Sequence, residues 1–278
     1  MRYAIDVAPL GELADPIAIV RLARAAEAAG WDGLSTWDVL GAAMQAPAAD
    51  PFVALAGVAA ATERLQLILS VVALPRRRPQ LVAQATATLD RLSGGRVVLG
   101  VGAGGDPEDF SLFGEDADRA VRIAKLDEGL GLVDAFLRGE SVEHHGDHYQ
   151  LSGAAACPTP IQDPRLPIWL GGMRPGALRR AAAWDGWIGI AVSDDGSSIN
   201  LEPDAFARMV ERVRAERAIL GRSDSPFDVA LFAYSAPGDR DTVRAYGDAG
   251  ATWWLESLSP MRGSLDELLA IVEAGPPA

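Results

Sequence analysis

Cysteine, histidine and aromatic residues are all scarce in this 278-residue chain, which has one cysteine, three histidines and 6% aromatic residues. The single cysteine, Cys157, excludes an internal disulfide framework and fits a reducing compartment, so we expect a cytoplasmic protein. All three histidines lie in "EHHGDHY". Neighbouring residues of a strand point to opposite faces, which disfavours His144 and His145 as ligands of one ion, and we predict no metal site.

Positive charge and long apolar runs are also in short supply. Acidic residues outnumber basic ones by 38 to 25, which gives a formal net charge of −13. Nucleic-acid binding needs a basic surface, so the sequence predicts no nucleic-acid partner. We find no apolar window long enough to span a bilayer, and "MRYAIDVAPLGELADP" lacks the regions of a signal peptide, so we predict no membrane association.

What the chain does contain is a regular alternation of strand-like and helical segments. Eight short β-rich runs each precede a helical pattern, and two of the helices begin at Asp-Pro. This alternation predicts an α/β protein with a parallel (β/α)8 TIM barrel, formed as a single domain over residues 1–278. The turn-punctuated segment "ESVEHHGDHYQLSGAAACPTPIQDP" predicts a hairpin insertion before the fifth barrel strand.

Two glycine-rich segments follow predicted barrel strands. "GVGAGG" (Gly100 to Gly105) fits the dinucleotide fingerprint G-x-G-x-x-G, but "DPEDFSLFG" follows it instead of an immediate helix. In a barrel, these glycines end the fourth strand at the catalytic face, where backbone amides can approach a ligand. Gly171 and Gly172 end the fifth strand beside Arg174, where a helix begins and attracts anions. The two segments favour one phosphorylated ligand, and relief of crowding at the rim is the alternative.

Several segments resemble the luciferase-like monooxygenase superfamily, which includes flavin-dependent monooxygenases and coenzyme F420-dependent oxidoreductases. The similarity is strongest in "ATERLQLILSVVALPRRRPQLVAQATATLDRLSGGRVVLGVGAGG" and continues through "AEAAGWDGLSTWD", "GLVDAFLRGESVEHHGDHYQL" and "PTPIQDPRLPIWLGG". The resemblance implies a homodimeric (β/α)8 enzyme that binds a flavin-type cofactor, with the tricyclic ring at the C-terminal mouth of the barrel, and acts on a small-molecule substrate.

The resemblance also assigns roles to single residues. Ser70 and Val71 match a bulge in the third strand that backs the ring in the deazaflavin branch, often with a non-proline cis peptide. Asp38 matches an acid near the polar edge of the cofactor and is the catalytic candidate. Together with Arg174 at the helix start, the expected cofactor-binding residues are Asp38, Ser70, Val71, Ala103, Gly104, Gly171, Gly172, Met173 and Arg174.

The sequence departs from the family pattern at two positions. Val39 stands where members often have histidine, and Gly105 stands where some deazaflavin-dependent dehydrogenases have glutamate. Without these two groups, either Asp38 alone transfers the proton, or the proton comes from the substrate or from water. We favour F420 over FMN because of "LSVVALP" and the missing histidine. The alternatives are an FMN-dependent monooxygenase served by a separate reductase, and a cofactor-binding barrel without turnover.

Tryptophans and a basic tract complete the candidate site. Trp37 lies beside the catalytic candidate, and Trp253 and Trp254 are adjacent on the last strand, so one faces the barrel interior and the other faces the helices. Trp37 and Trp253 are expected to line an apolar substrate pocket, with core packing as the alternative for each. The tract "PRRRP" (Pro75 to Pro79) either attracts an acidic cofactor tail or forms local ion pairs.

Overall fold

The structure is a computed structural model that describes residues 1–155, 158–193, 198–236 and 238–277. Cys157 lies outside the described residues. The strands are β1 (Arg2–Val7), β2 (Gly33–Thr36), β3 (Gln66–Ala73), β4 (Val97–Gly102), β5 (Ser141–His145), β6 (Gln150–Ala155), β7 (Ile168–Gly171), β8 (Gly186–Ile190), β9 (Asp228–Ala233) and β10 (Trp253–Leu258). The helices are α1 (Pro16–Ala28), α2 (Pro51–Ala61), α3 (Pro79–Ser93), α4 (Glu108–Ser111), α5 (Arg119–Leu137), α6 (Pro175–Ala182), α7 (Pro203–Ile219), α8 (Arg240–Asp248) and α9 (Leu265–Glu273).

The main sheet closes on itself as a parallel barrel. Its strand order is β1-β10-β9-β8-β7-β4-β3-β2, so each strand pairs with the strands before and after it in the barrel. Strands β5 and β6 form a separate antiparallel hairpin between α5 and β7. The predicted (β/α)8 barrel with a hairpin before its fifth strand is therefore confirmed. Helix α4 is a single helical turn within "DPEDFSLFG", the segment that follows β4 where a dinucleotide fingerprint would open a helix at once.

The Asp-Pro pairs begin helices as the sequence predicts. The Asp15 carboxylate accepts a hydrogen bond from the Ile17 N–H at 2.9 Å, at the start of α1. The Asp50 carboxylate accepts from the N–H groups of Phe52 and Val53 at 2.9 and 3.1 Å, at the start of α2. The proline that follows each aspartate has its φ already fixed near the helical value and needs no hydrogen-bond acceptor.

Side chains fill the barrel interior instead of leaving a pore. The interior cluster consists of Ala4, Ile68, Val98, Trp169, Ile188, Ala230, Trp253 and Leu255. Trp254 belongs to the larger cluster between the strands and the helices, so the expected division of the two adjacent tryptophans is confirmed. None of the helices in the described residues is long and apolar enough to cross a membrane.

Trp253 lies at the wrong end of the barrel for its predicted role. It is the first residue of β10 and pairs with Arg2, the first residue of β1, whose guanidinium lies 4.1 Å from the centre of the indole ring. All barrel strands are parallel, so this layer is the N-terminal end and the mouth is at the opposite end. The expectation that Trp253 lines a substrate pocket is corrected here: the side chain closes the floor of the barrel.

Candidate functional site

The C-terminal mouth of the barrel is built around a bulge in β3. The register between β3 and β4 shifts between Leu69 and Val72, and the Ser70–Val71 peptide bond is cis, as the family resemblance predicts. A Cβ on Gly102 or on Gly171 would lie 2.8 Å from a methyl carbon of Val71. Only glycine leaves room for this side chain at both positions. These two glycines therefore relieve crowding around the bulge.

A buried polar cluster lies against the bulge from inside the barrel. Asp6 is only 1% exposed, and its Oδ2 accepts hydrogen bonds from Ser35 Oγ at 2.5 Å and from Ser70 Oγ at 2.8 Å. The two serine hydroxyls also contact each other. Asp6 Oδ1 and Trp37 Nε1 are buried and make no hydrogen bond of good geometry to the described residues, but the indole lies close enough to Asp6 to lower its pKa.

The environment of Asp6 favours its protonated form. Burial raises the pKa of Asp6 to about 6, and the opposing influence of the Ser35 and Ser70 hydroxyls and the Trp37 indole only moderates this increase. Sequence reasoning did not single out Asp6. The available signal was an acidic residue near the end of the otherwise apolar first strand, "RYAIDVA".

Asp38 is held in a dense ion pair at the end of β2. Its side chain is 1% exposed, and Arg77 contacts both carboxylate oxygens at 2.8 Å. Arg76 approaches Oδ1 at 3.1 Å, and the Ala73 N–H donates to Oδ2 at 3.1 Å. Burial raises the pKa of Asp38, but the hydrogen bonds and charges of Arg77 and Arg76 outweigh it and hold this pKa below its usual range. The catalytic role of Asp38 stays a prediction, and the residue is ionised and fully engaged at neutral pH.

Two arginines of the basic tract after β3 form ion pairs with nearby acidic side chains of the protein. Besides Asp38, Arg77 contacts Asp50 at 2.9 Å, and Arg76 contacts Asp109 at 3.2 Å. This agrees with the local ion-pair alternative for these two residues. The third arginine is exposed and lines a cavity of about 260 Å³ on the outer rim, whose other lining residues include Glu115, Lys125, His148 and Tyr149.

The junction between β7 and α6 is an open helix start. Gly172 has φ = 126° and a Cβ there would lie 2.9 Å from that of Ala177, so the turn requires glycine. Its carbonyl accepts a hydrogen bond from Trp187 Nε1 at 2.8 Å. Arg174 is the exposed N-cap residue, and its side chain makes no capping bond. Within the described ranges, the N–H groups of Met173 and Arg174 have no acceptor, so this end of the helix can receive an anion.

The segment after β4 is held from behind by a buried cation. Arg122 is 5% exposed, donates to the carbonyl oxygens of Gly104 and Ala103 at 3.1 and 3.5 Å, and lies 4.7 Å over the ring of Phe110. Burial lowers the pKa of Arg122. A Cβ on Gly104 would lie 2.7 Å from Phe110, whereas a Cβ on Gly105 would meet nothing within 4 Å. Sequence reasoning did not identify Arg122.

The histidines take hydrogen-bonding roles in and beside the hairpin. His144 Nε2 contacts Glu128 at 2.9 Å, and His145 Nδ1 contacts Gln150 at 3.1 Å. Across the part of the chain that the structure describes, no three His, Cys, Asp or Glu side chains are arranged to hold a metal ion.

Solved structures share this fold at low sequence identity. A monooxygenase from Streptomyces bottropensis superposes with a TM-score of 0.82 at 19% identity, covering 99% of this chain and 97% of that one. An F420-dependent secondary alcohol dehydrogenase gives 0.82 at 17% identity, with 99% and 98% coverage. The coenzyme F420-dependent tetrahydromethanopterin reductase from Methanopyrus kandleri gives 0.77 at 18% identity, with 98% and 97% coverage.

Sequence comparison identifies the family. Uncharacterised proteins from Mycobacterium bovis and Mycobacterium tuberculosis are 32% identical to this chain over 251 residues, which cover 84% of it and 82% of each relative. The family model described as luciferase-like monooxygenase matches residues 4–255, which is nearly the whole barrel. This chain therefore belongs to the luciferase-like monooxygenase family.

Proposed function

We propose that this protein is an F420-dependent oxidoreductase that transfers hydride to or from a small organic substrate. The observation that carries the proposal is the bulge of β3, which presents Ser70 and Val71 at the mouth of the barrel. Two structural neighbours are described as F420-dependent, which also supports it. The homodimer and the cytoplasmic location stay predictions.

The residues around the mouth fit such a cofactor. Its phosphate would be held at the start of α6 by the backbone of Gly172 and Met173 and by the Arg174 side chain, with the Ala103–Gly104 segment beside it at the end of the neighbouring strand β4. Ser70 and Val71 would back the ring. The N–H groups of Met173 and Arg174 at the helix start have no acceptor among the described residues, and a bound phosphate would satisfy them.

When bound, the cofactor supplies the hydride chemistry, and the protein supplies orientation and proton handling. We assign Asp38 the task of holding Arg76 and Arg77 against the end of β3, since its oxygens already bind these guanidinium groups and the Ala73 N–H.

Two other functions remain as candidates. The neighbour from Streptomyces bottropensis, described as a monooxygenase, favours an FMN-dependent monooxygenase with a separate reductase. Val39 and Gly105, which replace two common proton-transfer groups, favour a barrel that binds the cofactor without turnover.

Titration of the purified protein with F420 and with FMN, followed by fluorescence quenching, tests the proposal. We expect saturable binding of F420 at much lower concentration than FMN. Tight binding of FMN alone would replace the proposal with the monooxygenase alternative. If F420 binds but its reduced form is not oxidised by any of a panel of carbonyl and enone acceptors, the alternative without turnover is favoured.

The phosphate site has a matched pair of variants on α6. Arg174→Ala is expected to weaken F420 binding by about 10- to 100-fold, which is the value of one charge-assisted hydrogen bond. Arg179→Ala removes the same charge from an exposed position in the last turn of the same helix and is expected to leave the F420 affinity unchanged. Equal affinities for both variants, measured by the same titration, would exclude the start of α6 as the phosphate site.

A further inference from the structure

We propose that Asp6 and Ser70 form a proton relay that runs from the barrel interior to the group bound over the bulge. Ser70 is the catalytic residue that touches the ligand, and Asp6 is a positioning residue and proton store that acts through it. This inference rests on the proposed function, because it concerns the same mouth and the same cofactor.

The geometry allows one route out of the cluster. Ser35 is fully buried, whereas Ser70 is partly exposed at the mouth. Both hydroxyls reach the same oxygen of Asp6, at 2.5 and 2.8 Å. The proton that passes to Ser70 must sit on Asp6 Oδ2, because this is the oxygen that lies 2.8 Å from Ser70 Oγ. A proton on Asp6 Oδ2 therefore reaches the mouth through Ser70.

The surroundings of Asp6 are polar but uncharged. Its strand neighbours are Ser35 on β2 and Ser257 on β10, and Ser70 and the Trp37 indole face it from β3 and from the end of β2. Burial raises the pKa of Asp6 to about 6, and among the described residues the hydroxyls of Ser35 and Ser70 and the Trp37 indole are the groups that lower it. A carboxyl with such a pKa can both hold and release a proton near neutral pH.

The relay conserves protons at each step. The Ser70 hydroxyl donates its hydrogen to an acceptor at the mouth and takes the proton of Asp6, so Ser70 is unchanged, Asp6 becomes a carboxylate and the acceptor gains one proton. The reverse sequence removes a proton from a bound donor. This supplies the proton-transfer function that Val39 and Gly105 do not.

Proton uptake on cofactor binding tests the relay without knowledge of the substrate. A ligand that accepts a hydrogen bond from the Ser70 hydroxyl draws this hydroxyl away from Asp6. Because the Ser70 hydrogen bond lowers the Asp6 pKa, its loss raises this pKa further, so binding at about pH 6.5 is expected to take up a sizeable fraction of one proton. Uptake is measured with F420 by calorimetry in buffers of different ionisation enthalpy. An infrared titration of the same protein, which follows the C=O stretch of protonated carboxyl groups, should show a component with a midpoint near the Asp6 pKa.

Three variants identify the groups involved. Asp6→Asn should abolish the uptake and the infrared component. Ser70→Ala should keep the infrared component and lose most of the uptake, because its link to the ligand is cut. Ser35→Ala removes the other hydrogen bond to the same oxygen and should retain the uptake, with its midpoint displaced to higher pH.

The outcomes separate the two proposals. If F420 binds to the wild-type protein without proton uptake, or if Asp6→Asn retains the uptake, the relay is wrong and the cofactor assignment stands. If Ser70→Ala and Ser35→Ala lose the uptake equally, Ser70 is not the route to the mouth and the relay is also wrong. If the wild-type protein binds neither F420 nor FMN, the proposed function fails and the relay fails with it.

Discussion

Replacing Asp38 by asparagine is expected to reduce the free energy of unfolding by about 3–5 kcal/mol, because removal of one partner from a buried ion pair leaves the other charge uncompensated. Here two guanidinium groups, those of Arg76 and Arg77, lose a carboxylate whose side chain is 1% exposed. The Ala73 N–H at the end of β3 loses its charged acceptor as well. The measurement is denaturant unfolding at neutral pH.

Asp50→Asn is the matched control for this prediction. Asp50 binds the same Arg77 at 2.9 Å, but its side chain is 41% exposed, and asparagine can still cap α2. Loss of such an exposed pair is expected to cost below about 1 kcal/mol. Similar small losses for both variants would contradict the structural role of Asp38. If the Asp38→Asn variant has the same free energy of unfolding as the wild-type protein and binds F420 but has no turnover, the result would instead support the catalytic role predicted from the sequence.

The ion pair also has a pH signature with a definite sign. The pKa of Asp38 is lower in the folded protein than its ordinary value of 3.8. The stabilisation is therefore fully present above that ordinary value and is lost as the pH falls through the lower folded pKa. The difference in the free energy of unfolding between the wild-type protein and Asp38→Asn should therefore be largest at neutral pH. It should become smaller as the pH is lowered into the acidic range.

The fold was predictable because its determinants are local and repeated. Apolar runs of strand length, Asp-Pro helix starts and turn residues recur along the chain, and each needs only neighbouring residues to be recognised. The parallel barrel follows from their alternation. The bulge at Ser70–Val71 was predicted from family resemblance, since nothing in the composition of "LILSVVALP" requires a register shift. The single-domain organisation stays a prediction.

The site was predictable only where its parts are adjacent in sequence. Gly171, Gly172 and Arg174 lie next to one another, so an open helix start could be inferred from the sequence. Asp6 and Ser35 are brought together by the register of β1 on β2, and Ser70 joins them from β3. The sequence contains no signal for that contact, because it depends on how far each strand is displaced along the barrel.

Two other results show the same limit. Strand alternation correctly separates Trp253 from Trp254, but the depth of Trp253 depends on where β10 begins relative to β1. The acidic partners of the basic tract are Asp38 and Asp50 in the segment after β2 and Asp109 in α4. They lie far from the tract in sequence, so its local charge pattern leaves the choice between ligand binding and ion pairing open.

Ionisation of Asp6 is expected to lower the free energy of unfolding by about 3 kcal/mol in total as the pH rises from below 3.8 to well above 6, which is the shift from 3.8 to about 6 expressed as energy. Below pH 3.8 the carboxyl is protonated in both the folded and the unfolded protein, so the ionisation of Asp6 does not change the free energy of unfolding there. As the pH rises through about 6, the folded protein must ionise a buried carboxyl that the unfolded chain ionises easily. Well above pH 6 the carboxyl is ionised in both the folded and the unfolded protein, so the loss in the free energy of unfolding has its full value and no longer changes with pH.

The comparison of Asp6→Asn with the wild-type protein isolates this effect, because all other titrating groups are shared. The variant should gain stability relative to the wild-type protein as the pH rises from about 5 to about 8, whatever constant offset the lost hydrogen bonds introduce. Asp239→Asn is the control, since the pKa of Asp239 is lowered by its hydrogen bonds with Thr242 and its carboxylate is ionised in both states over this range. Its difference from the wild-type protein should be independent of pH. A flat difference for Asp6→Asn as well would mean that Asp6 is ionised in the folded protein throughout, and a carboxyl that holds no proton at pH 6 cannot supply one to Ser70.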